Sequence, residues 1–240
     1  MIDLNQLIDD RNRPLWNTLN QHFKIDIQSS VNNEYHCYSI NDTATIYVVP
    51  YDLSADSFTH ELLHVYLRYR RVFMGAAFTN TVNSSTTLKR LLNVRLVEHV
   101  GNCLDHIKMH EQYEVMGFDP AKFILDFTLH KCSSSELRDL RKYYKQNGMY
   151  NSQAISLYFG KFFAMCADFN PAFDYEKCFE ALDKLDPQLF AILDQLVSDW
   201  EGFDIEDDDI LRSDYHTMLT NFYESMKRWM TGKKFHFAED

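Results

Sequence analysis

The chain contains little glycine and proline, with 7 Gly and 5 Pro among 240 residues. Turns depend on these two residue types, so their scarcity argues against an all-β or loop-dominated protein. Long apolar runs are also lacking, and no stretch approaches the roughly 20 residues that a membrane-spanning helix needs. The N-terminal region carries early acidic residues and no apolar core, which is not the pattern of a secretory signal. We therefore expect a globular, mainly helical protein without membrane association.

The five cysteines are scattered, odd in number and never arranged as C-x-x-C. Such a pattern indicates free thiols in a reducing compartment, and it predicts a cytoplasmic protein. The formal net charge is −11, and an acidic surface repels phosphate backbones, so nucleic-acid binding is not expected. A glycine-rich phosphate loop and a G-x-S-x-G turn are missing too, which argues against nucleotide and serine-hydrolase chemistry. A peptide or protein substrate remains compatible with the acidity, and the oligomeric state stays open.

Residues 24–50 alternate β-branched and aromatic residues with polar ones and predict a small antiparallel sheet. Apolar residues at helical spacing predict a helix over 54–71, and Ser54 suits its N-cap. Residues 73–86 are predicted as a loop. A long helix is predicted from 87 to 116, ended by Gly117. Further helices are predicted at 120–130, 134–146, 151–167, 174–185, 187–200 and 210–231.

The predicted fold class is α+β and mostly α, with the sheet beside the helix of residues 54–71 and a largely helical C-terminal half. We divide the chain into a metal-binding domain, residues 1–118, and a helical region, residues 119–240. The helical region could also form part of the same domain.

His60, Glu61 and His64 form the sequence H-E-x-x-H within the helix predicted for residues 54–71. Histidines at positions i and i+4 lie on one helix face, so both imidazoles can reach one tetrahedral Zn²⁺. Glu61 can approach a water on that metal, whose pKa zinc lowers towards about 7, and accept its proton. The alternative is a helix face that carries two histidines and no metal. The intact motif favours a zinc centre with Glu61 as general base.

Through this motif the chain resembles the zinc metallopeptidases of the zincin type, over roughly residues 40–118. The resemblance implies a zinc-dependent hydrolase, a metallopeptidase acting on a peptide or protein. It also implies an edge strand that precedes the metal helix and pairs with an extended peptide, and residues 44–49 suit that role. The extended metzincin pattern is absent, because Leu67 and Arg70 stand where it has glycine and histidine.

A catalytic zinc usually has three protein ligands, so one more must come from elsewhere. In gluzincin-like enzymes it is a glutamate on a following helix. The following helix here offers Glu98, His99, Asn102, Asp105, His106 and His110. His106 ranks first, because Asn102-x-x-x-His106 followed by Gly117-Phe118-Asp119 resembles uncharacterised bacterial H-E-x-x-H proteins. Glu98 and His99 remain alternatives, and each candidate could instead face solvent or form hydrogen bonds within the core.

Two further points stay open in the sequence. The oxyanion stabiliser could be Tyr66, Tyr113 or a tyrosine within residues 143–158, although each of these also suits core packing. A different class of function is a zincin-like binding or regulatory module, in which the metal site is structural or vestigial. A closed set of four protein ligands would indicate that class.

Overall fold

The structure is a computed structural model that describes residues 2–207 and 215–237. Within it the chain forms two compact units. The first unit combines the chain up to Phe73 with Lys108–Thr128, and the second combines Met74–Ile107 with the chain from Leu129 onward. One continuous helix passes from the second unit into the first between Ile107 and Lys108. The two domains expected from the sequence, residues 1–118 and 119–240, stay a prediction.

The first unit contains a three-stranded sheet in the region where the sequence predicts one. The elements are α1 (Arg13–His22), β1 (Lys24–Ser29), β2 (His36–Ile40), β3 (Thr43–Val48) and α2 (Ala55–Tyr69). The strand order is β1-β3-β2, with β1 parallel and β2 antiparallel to β3. The sheet is therefore mixed and not antiparallel as predicted. A tight turn at Asn41, whose φ is 53°, joins β2 to β3, whereas the longer connection after β1 lets β2 pair on the far side of β3.

Strand β3 is the central strand of this sheet, with alternate residues buried. Ala44, Ile46 and Val48 belong to the same core cluster as Phe58 and Leu62 of α2. Since neighbours pair with β3 on both sides, its backbone cannot also pair with a peptide. The prediction that residues 44–49 form a substrate-binding edge is wrong, because β1 and β2 are the edge strands.

Helix α2 follows the pattern that predicted it. Ser54 caps its N-terminus by accepting a hydrogen bond from the Ser57 backbone N–H at 3.3 Å. Phe58, Leu62 and Val65 recur at helical spacing and are buried in the core, which leaves the motif histidines half-buried.

The segment that follows α2 differs from the prediction. Residues 73–86, predicted as a loop, contain helix α3 (Met74–Asn83). The helix predicted over 87–116 is two helices, α4 (Thr86–Leu91) and α5 (Val94–Val115). The Asn93 side chain explains the break, because its Oδ1 accepts from the Leu96 backbone N–H at 3.0 Å and starts α5 anew.

Two glycines allow α3 to lie against α5. A Cβ atom on Gly101 would lie 3.0 Å from the Cα atom of Gly75, which is closer than side chains normally pack. The sequence of α3, with Gly, Thr and Asn, carries little helix propensity, so tertiary packing must stabilise it. Besides the approach to α5, the Phe78 ring of α3 packs on Phe222 with centroids 5.5 Å apart.

The remaining elements of the second unit are mainly helices. They are α6 (Ser134–Tyr143), β4 (Lys145–Gln146), β5 (Met149–Asn151), α7 (Ser152–Cys166), α8 (Glu176–Leu185), α9 (Pro187–Gly202), α10 (Tyr215–Met230) and β6 (Phe235–His236). The predicted fold class, α+β and mostly α, is confirmed. The small sheet β4-β5-β6 was not expected, and the start of the helix predicted over 210–231 lies outside the described residues. In the described part of the chain, every helix is too short or too polar to cross a membrane.

Candidate metal centre

Three histidine side chains converge at the H-E-x-x-H motif. The His60 and His64 rings on α2 have centroids 5.0 Å apart. One nitrogen from each of His60, His64 and the buried His106 lies within 4.8 Å of the other two. Zn–N bonds of about 2.0–2.1 Å in a tetrahedral site require nitrogens about 3.4 Å apart, which small ring rotations can reach. Three imidazoles suit Zn²⁺ and several other divalent transition metals, so the donor set fits a metal ion.

The two alternative third ligands lie outside this cluster. Glu98 and His99 are exposed. His99 Nε2 lies 3.3 Å from the Gly160 carbonyl oxygen and 3.7 Å from Cys103 Sγ. His99 shares a helix face with His106 but lies seven residues away, which is about 10 Å along the axis at 1.5 Å per residue. The structure brings together the two motif histidines and the candidate that ranked first, while ligation itself stays a prediction.

Glu61 is buried and contacts the edge strand β2. Its side chain is only 5% exposed. Burial raises the pKa of the Glu61 carboxyl, whereas attraction to His64 and hydrogen bonds from the Cys37 thiol and backbone lower the same pKa. Cys37 on β2 thus supplies two donors that orient the carboxylate of Glu61 on α2.

The surroundings of His60 favour its neutral imidazole form. Burial lowers the pKa of His60 well below the ordinary value of 6.5, and repulsion from His64 lowers it further. A hydrogen bond from the ring to the backbone of Phe123 acts in the opposite direction. The Phe123 ring also packs on His60, with centroids 4.8 Å apart. A neutral imidazole is the state that coordinates a metal ion.

Phe123 reaches this position because the segment before it is a turn. Residues 120–130 were predicted as a helix, but only a short 3₁₀ turn forms, at Pro120–Lys122. Asp56, in the first turn of α2, accepts from the Asp119 backbone N–H at 3.5 Å and lies 3.8 Å from Lys122 Nζ. These contacts hold the turn against the start of α2, and Phe123 follows the turn directly.

His110 and Tyr113 complete the aromatic surroundings. Their rings pack on Phe123 with centroid distances of 5.2 and 5.1 Å. Burial lowers the pKa of His110 and raises the pKa of Tyr113. Within the described part of the chain the Tyr113 hydroxyl has no hydrogen-bond partner. Tyr144 and Tyr158, two of the other candidate tyrosines, donate to Asp186 and to the Leu182 carbonyl in the second unit, which is a structural role.

The sequence pattern predicted neither the contact of Cys37 with Glu61 nor that of Phe123 with His60. Cys37 lies 24 residues before Glu61 and carries no local motif, and Phe123 lies within the segment 120–130 that was predicted as a helix. In comparisons with known proteins, no family model, no curated protein and no solved structure matches the chain.

Proposed function

We propose that the protein is a zinc-dependent hydrolase, and specifically a metallopeptidase. The observation that carries the proposal is the cluster of His60, His64 and His106 within 4.8 Å, with the Glu61 carboxylate on the turn between the first two. Bound zinc would act as a Lewis acid, polarising the scissile carbonyl and making water acidic.

Each residue of the site then has a defined task. The three histidines hold the ion as neutral imidazoles. The lowered pKa of His60 favours this neutral form. Glu61 accepts a proton from the attacking water and delivers it to the leaving amine. Cys37 restricts the orientation of that carboxylate. Strand β2, which contains Cys37, is an edge strand, and an extended peptide could pair with it beside Glu61.

The test combines metal analysis with hydrolysis. We expect one zinc per chain in the wild type, and loss of zinc in His60→Ala and His64→Ala. His216→Ala, which removes an exposed histidine of α10, is the matched control and should keep the metal. Glu61→Gln should keep zinc and lose cleavage of a peptide library. Zinc-free wild-type protein after reconstitution, or full cleavage by Glu61→Gln, would contradict the proposal.

The two hydrogen bonds from Cys37 favour one second candidate, a zincin-like binding or regulatory module with a structural metal. In that function Glu61 mainly joins α2 to β2 and has no catalytic task. Stoichiometric zinc without any peptide cleavage, together with a clear loss of stability in Glu61→Gln, would support this candidate.

A further inference from the structure

A cleft with a volume of about 600 Å³ lies between α6 and α8 in the second unit. Its walls are Ser134, Leu137, Arg138, Arg141, Lys142, Lys177 and Ala181. The five residues from α6 recur at helical spacing and the two from α8 are four apart, so each helix presents one continuous face to the cleft. Leu137 and Ala181 supply apolar surface, and the remaining side chains are exposed.

The cleft concentrates positive charge in an acidic protein. Four of its seven lining residues are cationic, whereas the whole chain has a formal net charge of −11. Within the described residues, Arg138, Arg141, Lys142 and Lys177 form no ion pair with a carboxylate. Four like charges around one cleft create a local positive potential that attracts anions.

Two of the four acidic side chains nearest in sequence, Glu136 and Glu180, have other partners, whereas Asp139 and Glu176 form no ion pair within the described residues. Glu136 lies 2.5 Å from Lys161 and accepts from both the backbone and the hydroxyl of Ser133. Glu180 pairs with Lys184 at 2.8 Å. Asp139 and Glu180 attract Lys142 and Lys177 from beyond ion-pair distance. These carboxylates reduce the positive charge around the cleft in part, but within the described residues none of them forms an ion pair with its four cations.

From this geometry we propose that the cleft binds a compact anion that carries two or more phosphate groups. Two guanidinium groups three residues apart offer paired N–H donors that match phosphate oxygens, and the two lysines add charge. A volume of about 600 Å³ is typical of small-molecule sites. The proposal is independent of the metal centre and implies no chemistry on the ligand.

The net charge of the chain favours a small ligand over a nucleic acid. A long phosphate backbone would extend past the cleft onto a surface whose overall charge is negative and would be repelled there. A compact polyphosphate places all its charge among the four cations. The apolar side chains of Leu137 and Ala181 in the lining could additionally contact an organic body attached to the phosphates.

The experiment is isothermal titration of the full-length protein at low salt with inorganic tripolyphosphate and, separately, with ATP, both without magnesium. We expect saturable one-site binding that weakens as salt is added. Arg138→Gln with Arg141→Gln should lower the affinity at least about tenfold, since hydrogen bonds to charged groups are lost. Arg95→Gln with Arg228→Gln changes the net charge equally at exposed positions outside the cleft and should leave the affinity unchanged.

The titrations with the two ligands and the two variants have distinct outcomes. Equal binding of both ligands means that the phosphates alone are recognised, whereas tighter ATP binding adds a contribution from the organic body, and either supports the site. Absence of binding to the wild type at millimolar concentration would overturn the proposal. An equal loss in the cleft variant and the control variant would also overturn it, because the interaction would then be non-specific. Circular dichroism of both variants verifies that they remain folded.

Discussion

Cys37 donates to the Glu61 carboxylate through both its thiol and its backbone N–H, which joins edge strand β2 to helix α2. The pairing connects the residue proposed as general base to the strand beside which a peptide could bind. Glu61 is almost fully buried, so the loss of a donor cannot be compensated freely by solvent.

Removing the Cys37 thiol should weaken this link. We expect Cys37→Ala to lower the free energy of unfolding of the metal-free protein by about 0.5–1.5 kcal/mol, the usual contribution of one hydrogen bond. Cys37→Ser keeps a donor and should lie close to the wild type. Urea denaturation measures both, and the effect of Cys37→Ala should largely disappear in a Glu61→Ala background. Equal stabilities for the alanine and serine variants would show that the thiol contributes nothing.

The third-ligand assignment predicts unequal effects of two histidines on α5. His106→Ala should lower zinc affinity by more than about 100-fold, since even outer partners of a ligand contribute 10–100-fold. His99→Ala should leave the affinity unchanged, because His99 is exposed and near Gly160 instead. Competition with a chromogenic chelator measures both affinities. The assignment fails if the His99 variant loses zinc while the His106 variant retains it.

Removing the hydroxyl group from Tyr113 and from Tyr158 should change the free energy of unfolding in opposite directions. Tyr113 is fully buried and its hydroxyl has no partner within the described residues, so Tyr113→Phe should raise the free energy of unfolding by about 1–2 kcal/mol. Tyr158 is equally buried but donates to the Leu182 carbonyl at 3.0 Å, so Tyr158→Phe should lower it by about 1 kcal/mol. Chemical denaturation at neutral pH compares the two, and destabilisation by Tyr113→Phe would indicate an additional partner for that hydroxyl.

Glu136 predicts a pH dependence of stability at acidic pH. Burial raises the pKa of Glu136, but hydrogen bonds from Lys161 and Ser133 outweigh burial and lower the pKa below 4.5. A carboxyl with a lowered pKa in the folded state stabilises the protein above its unfolded pKa, and this contribution is lost as the pH falls through the folded value. The stability difference between wild type and Glu136→Gln should therefore be constant near neutrality and shrink below about pH 4.5.

Denaturation series from pH 7 down to the lowest pH at which the protein stays folded would measure this difference. In a Lys161→Met background the pH dependence should be smaller, because the principal partner is gone. A difference that grows as the pH falls would have the wrong sign and would exclude the pairing as its cause.

The spacing of apolar residues predicted an element correctly where the apolar face of that element is also the face buried in the structure. Helix α2 begins and ends within two residues of its prediction, since Ser54 caps it and Phe58, Leu62 and Val65 pack in one core cluster. Helix α3 and the turn at 120–123 were predicted wrongly, because contacts remote in sequence decide them. The packing of Phe78 on Phe222 and the approach of Gly75 to Gly101 stabilise the former, and the contacts of Asp56 with Asp119 and Lys122 stabilise the latter.

The amino-acid sequence by itself determined the mainly helical class, helix α2 and the i, i+4 pair of His60 and His64 on it, because these depend on residues within one or two turns of each other. Only the tertiary structure brought His106 to that pair, placed Cys37 on Glu61 and packed Phe123 on His60. It also made β3 the central strand and assembled the cationic cleft from α6 and α8. Such arrangements depend on how distant segments pack, and local periodicity carries no information about that packing.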